Sequence, residues 1–260
     1  MQEPSYRRYV ALGDSSTEGL NDPDGHGGYR GWADRLAERV AATGDGLLYA
    51  NLAVRGRRTR QILETQLEPA LAMRPDLVTL FSGTNDVVAR RFDVVEVARD
   101  VARMQRALRE TGATVLTFTL PDLGPVLPAA RRLAPRIEAL NAALREIARE
   151  TGTRLVDLAV HPVAVDPRLW SDDRLHANSA GHERIAAALA HALGLPGTDA
   201  DWMKPLPPLP RPGFRDRLLS ELRWTGLHLI PWTLRHLRGR SSGDGREPKR
   251  PIPVPVSPAA

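Results

Sequence analysis

Two adjacent serines, Ser15 and Ser16, follow a short apolar run in "YVALGDSSTEG". Gly, Asp and Ser are ordinary turn formers, but a hydroxyl at the end of a buried strand is also where a nucleophile is well placed. A serine needs a base to take its proton, and histidine suits that task near neutral pH. A carboxylate must then orient the imidazole and stabilise its cation. "LWSDDRLHANSAGH" supplies both types, with Asp173 three residues before His176, so that one loop delivers the pair. An oxyanion needs donors already in place. The backbone N–H of Ser15, the backbone N–H at Gly56 in "NLAVRGRRT" and the side-chain amide of Asn85 in "SGTND" are the candidates. Glycine at 56 also lets the backbone approach a substrate closely.

These residues are far apart in the chain, so the fold must gather them. Apolar runs of strand length recur at 8–14, 47–54, 76–83, 114–122 and 153–160. Several are nearly continuous, which suits strands buried on both faces. Helical patterns lie between them at 29–44, 59–74, 93–112, 134–152 and 178–194, and Gly112, Gly152 and Gly194 mark stops. Alternating strands and helices predict βα units around a parallel sheet. In such a sheet ligands bind beyond the carboxyl ends of the strands, and the candidate residues follow those ends.

"GDSSTEG", Gly56, "GTND" and "DRLH" resemble, in order and spacing, the four blocks of the SGNH (GDSL-type) hydrolases. The resemblance spans roughly residues 7–194 by the strand–helix reading. It implies a flavodoxin-like three-layer α/β/α sandwich with a five-stranded parallel sheet. It also implies Ser15 rather than Ser16 as nucleophile, Asp173 and His176 as its base pair, and Ser15, Gly56 and Asn85 as the oxyanion hole. Three positions depart from the pattern. Ser16 stands where the family usually has Leu or another bulky residue, and Arg174 and Ala177 replace the Gly and Pro common around the histidine. The absence of a G-x-S-x-G elbow argues against the common α/β-hydrolase arrangement.

Neighbouring residues have blander roles. Asp172 is a rival orienter without the family offset. Asn178 reads as a helix cap. His26, His161, His182 and His191 read as surface or helix residues, and no spacing suggests a metal site. Arg55, Arg57 and Arg58 either select an acidic substrate or are solvated charges at a helix start. No cofactor is expected. The implied activity is that of a serine esterase acting on a small-molecule or lipid acyl ester through an acyl-serine. The alternatives are a lysophospholipase or acyltransferase recruited by the tail, and a binding protein that keeps the fold without turnover.

The net charge of +5 arises from 36 basic and 31 acidic residues, and residues 201–260 hold 11 of the former and 5 of the latter. With no cysteine, disulfide and thiolate–zinc frameworks are excluded. No run approaches the roughly 18 apolar residues of a membrane span, and the start lacks a secretory pattern. A cytoplasmic protein is expected. Residues 1–195 are read as the catalytic domain and 196–213 as a proline-rich linker. Residues 214–240 read as a basic amphipathic helical segment with an apolar stripe of Phe214, Leu218, Leu222, Leu229 and Trp232. Packing on the body, packing in a dimer and peripheral contact with an anionic membrane are its readings. Residues 241–260, rich in Pro, Ser and Gly, are expected to be disordered. No nucleic-acid module is present.

Overall fold

The computed structural model describes residues 5–44, 46–208, 213, 222–229 and 242–257. Five parallel strands form where the apolar runs predict them: β1 (Arg8–Leu12), β2 (Leu47–Asn51), β3 (Leu77–Leu80), β4 (Thr114–Phe118) and β5 (Arg154–Val156). Each is shorter than its apolar run, because the last residues of the run leave the ladder to build the loops of the carboxyl edge. A sixth strand, β6 (Arg250–Val256), pairs antiparallel with β2, giving the order β5-β4-β3-β1-β2-β6. Without β6 the order is that of flavodoxin-like sheets, with the topological switch between β1 and β3.

Alternation along the strands divides the core. Val10 and Leu12, with Val78 and Leu80, face α3 (Thr59–Ala72) and α5 (Val94–Glu110) through Ile62, Leu67, Met104 and Leu108. Tyr9 and Ala11, with Leu77 and Leu116, face the other side. There they meet Trp32 and Leu36 of α2 (Gly31–Ala41), Leu140 and Leu144 of α6 (Ala134–Thr151), and Leu189 of α7 (Ser179–Leu193). Gly152 and Gly194 end α6 and α7 in the left-handed conformation, and Asn178 caps α7 by accepting from the Gly181 N–H at 3.1 Å.

The C-terminal residues correct two expectations. Far from being disordered throughout, the stretch 250–256 is a strand and the sheet has six. Proline is tolerated because β6 is an edge strand, where a missing N–H costs no ladder bond. Lys249 anchors it: its ammonium reaches Asp34 Oδ2 at 3.0 Å and the carbonyls of Tyr29 and Arg30. Of the basic segment, only residues 222–229 are described, and they are helical. Leu222 of the expected apolar stripe is 62% exposed, while Trp224, which the stripe omitted, is 8% exposed. Phe214, Leu218 and Trp232 lie outside the described residues. Among the described residues no helix is long and apolar enough to cross a membrane.

Candidate active site

The turn after β1 becomes a single helical turn, α1 (Ser15–Glu18), opened by Asp14, whose carboxylate accepts from the Ser16 N–H at 3.1 Å. This geometry separates the two serines. Ser16 Oγ accepts from the Trp32 indole at 3.2 Å, whereas Ser15 Oγ lies 2.8 Å from His176 Nε2. His176 Nδ1 lies 2.7 Å from Asp173 Oδ2. Asp172 is exposed and takes no part in this chain of bonds.

Asp173 is held from all sides. Its Oδ1 accepts from Ser171 Oγ at 2.7 Å, the Leu175 N–H at 2.9 Å and the His176 N–H at 3.0 Å. Its Oδ2 also accepts from Asn21 Nδ2 at 2.8 Å. Burial by itself would raise the carboxyl, but the His176 ring and these donors outweigh it and hold Asp173 well below the usual carboxylate range. Asn21 is a residue the sequence reading missed. Its left-handed backbone, φ 68°, is one that Asn tolerates, but the sequence shows no more than an Asn beside a turn. The same amide nitrogen reaches Ser171 Oγ at 2.8 Å, binding the histidine loop to the nucleophile turn across 150 residues.

A second set of contacts places Gly56 and Asn85. Glu18 of α1 accepts from the Arg55 N–H at 2.8 Å and from its guanidinium. Arg55 is thus buried and paired, neither solvated nor free to select a substrate. Gly56 follows it with φ 76°, a conformation that costs glycine little. At the end of β3, Asp86 accepts from both the Thr59 N–H (2.9 Å) and hydroxyl (2.8 Å), joining that loop to the start of α3. Asn85 Nδ2 donates to Asp14 Oδ2 at 2.9 Å and to the Arg57 carbonyl at 3.0 Å. Among the described residues, the N–H groups of Ser15 and Gly56 have no internal acceptor. Asp14 is fully buried, and that burial pushes its carboxyl up to about 6 despite the Ser16 amide.

Ser15, Gly56, Asn85, Asp173 and His176 all line one cavity of about 1160 Å³. Its walls are largely apolar, with Phe81, Phe118, Leu123, Ile137, Trp202 and Trp224 among them. His182, by contrast, is buried and structural. It accepts from the Trp32 N–H at Nδ1 (3.1 Å) and lies 3.1 Å from the Leu20 carbonyl at Nε2. His161 packs edge-on against Trp202, and His26 and His191 are exposed. Among the described residues no group of three His, Asp or Glu side chains is arranged to hold a metal ion.

The sequence model of the GDSL-like lipase/acylhydrolase family matches residues 11–184, which is more than half of the chain. The chain belongs to that family. It is a carboxylic ester hydrolase. Several solved structures share the fold. The lipase/acylhydrolase from Enterococcus faecalis superposes with a TM-score of 0.60 at 25% identity, over 75% of this chain and 100% of its own. Axe2, an acetylxylan esterase from Geobacillus stearothermophilus, does so with 0.63 at 19% identity, over 77% and 100%. TesA gives 0.60 at 23% identity, over 72% and 98%. No curated protein matches the chain. In each structural pair the other protein is used almost whole, while about a quarter of this chain is left over.

Proposed function

We propose that this GDSL-type hydrolase cleaves acyl esters through a covalent acyl-Ser15 intermediate. The observation that carries the reading is the unbroken line from Ser15 Oγ to His176 Nε2 (2.8 Å) and from His176 Nδ1 to Asp173 Oδ2 (2.7 Å), opening on an apolar cavity. Ser15 Oγ attacks the ester carbonyl carbon while His176 Nε2 takes its proton. Ionised Asp173 accepts from Nδ1–H, fixes the tautomer and stabilises the imidazolium. Negative charge passes to the carbonyl oxygen. The N–H groups of Ser15 and Gly56 meet it, and Asn85 adds a third donor by turning from the Arg57 carbonyl. The tetrahedral adduct collapses, the C–O bond to the alcohol breaks, and His176 gives its proton to the leaving oxygen. Water, deprotonated by His176, then attacks acyl-Ser15 and releases the acid and the free serine.

The test is Ser15→Ala. We expect loss of p-nitrophenyl acetate hydrolysis to background and loss of labelling by a fluorophosphonate, with the melting curve unchanged. Full turnover in the folded variant would overturn the assignment, and Ser16 would be the next residue to replace.

A further inference from the structure

The family match ends at residue 184, yet residues beyond it reach the site at two places. On one side, the Trp224 indole N–H donates to the Asp173 carbonyl at 3.2 Å, and the Arg174 guanidinium lies 5.2 Å from the centre of the indole ring. On the other, Gly243 packs so tightly on the Arg55 carbonyl that a Cβ would sit 1.9 Å from the oxygen. Ser242 and Asp244 flank that contact and line the cavity beside Gly56, and β6 then fastens the chain to the sheet. The extension therefore touches both the histidine loop and the Gly56 loop.

Arg174 gives this contact meaning. The family commonly has glycine there, and in this chain the position has φ 58°, which glycine adopts freely and arginine does not. The larger residue keeps the glycine-like backbone and places its guanidinium over the indole, a stacking that arginine favours. Arg174 and Trp224 thus form one contact at the edge of the histidine loop. Trp224 is buried there, and its ring joins Trp202 and Leu175 in the cavity wall. An acetyl group fills only a small part of about 1160 Å³, so walls this far apart serve a longer chain.

We propose that Trp224 is a specificity-determining residue: an apolar wall, supplied by the C-terminal extension, that selects esters carrying a long hydrocarbon chain over acetyl esters of small alcohols. The inference rests on the ester hydrolase reading above. Its ligand chemistry is a saturated chain of several methylenes, on either the acyl or the alcohol side of the ester. Transfer of apolar area to the indole face favours each added methylene, so selectivity resides in KM as well as kcat/KM.

The experiment compares full-length wild type, Trp224→Ala, Trp224→Phe and Arg174→Gly on three esters. These are p-nitrophenyl acetate, p-nitrophenyl decanoate and decyl acetate, with Ser15→Ala as the blank. We expect Trp224→Ala to lower the ratio of kcat/KM for one long-chain ester to that for p-nitrophenyl acetate by about tenfold, mainly through KM. Trp224→Phe should keep most of the ratio, and Arg174→Gly should lower it by a smaller factor. Which long ester responds tells which end of the substrate meets the indole. A ratio unchanged within twofold for both long esters overturns the proposal. Equal losses on all three esters also overturn it, making Trp224 a positioning residue of Asp173 instead. If wild type hydrolyses none of the esters, the ester hydrolase reading fails, an outcome distinct from either.

Discussion

Ser15 and Ser16 differ by one position and by everything that surrounds them. The helical turn aims Ser15 at His176 and turns Ser16 toward Trp32. Asn85 is the residue whose part in the reaction is most exposed to test. In the resting enzyme both of its amide hydrogens are engaged, by Asp14 and the Arg57 carbonyl. The backbone acceptor is the one it can leave as an oxyanion forms. Asn85→Ala should therefore lower kcat by about 10²–10³ with little change in KM, the usual cost of one oxyanion donor. Steady-state kinetics on p-nitrophenyl acetate measure it, and a change confined to KM would assign Asn85 to ground-state binding.

At the scale of elements, β6 is fixed by a buried ion pair as well as by its ladder with β2. Lys249 and Asp34 form a pair in which both side chains are mostly buried. Burial pulls the lysine down and pushes the aspartate up, and each partner works against the other's shift. Asp34 also accepts from the Tyr49 hydroxyl at 2.7 Å, so the pair ties β6 to β2 and α2 together. Lys249→Met leaves a buried carboxylate without its cation and should cost about 3 kcal/mol in urea unfolding. Replacing both residues, as Asp34→Asn with Lys249→Met, should recover part of that loss. Deletion of residues 249–256 would bare the edge of β2 and leave Asp34 with the Tyr49 hydroxyl but without the Lys249 ammonium. Unchanged stability in Lys249→Met would show that the ion pair does not help to hold β6 to the body.

Across the whole molecule, the first and last catalytic segments are held together by His182. It joins α7 to the start of α2 and to the Leu20 turn that follows the nucleophile. Burial lowers its pKa from the usual 6.5 to about 4, overcoming the pull of the Leu20 carbonyl and Asp22 toward the charged form. The folded chain therefore keeps this imidazole neutral, while the unfolded chain protonates it below pH 6.5. Its contribution to stability is intact above that pH and is lost as pH falls toward 4. His182→Gln keeps an acceptor and a donor but cannot titrate. The stability of wild type relative to this variant should fall between pH 7 and pH 5 by on the order of 1–2 kcal/mol. Urea unfolding at the two pH values checks it, and a constant difference would place the imidazole in contact with water.

The five apolar runs, the helices between them and the four residue blocks were all legible in the chain, because burial on both faces demands continuous apolar strands and acyl transfer demands particular side chains. The choice of Ser15 over Ser16 as the expected nucleophile came from the resemblance of "GDSSTEG" to the family's first block. Contacts between distant segments were not legible. Nothing in the chain marks Asn21, and only the approach of residues 171–176 gives its amide a carboxylate to hold. Pro-rich composition argued for disorder at 250–256, yet an edge strand needs few N–H donors and found an open neighbour in β2. Trp224 fell outside the helical stripe because its partner is the histidine loop, not a face of its own helix. Local pattern records what each segment must bury. Which segment buries it is decided only when the sheet has brought their ends together.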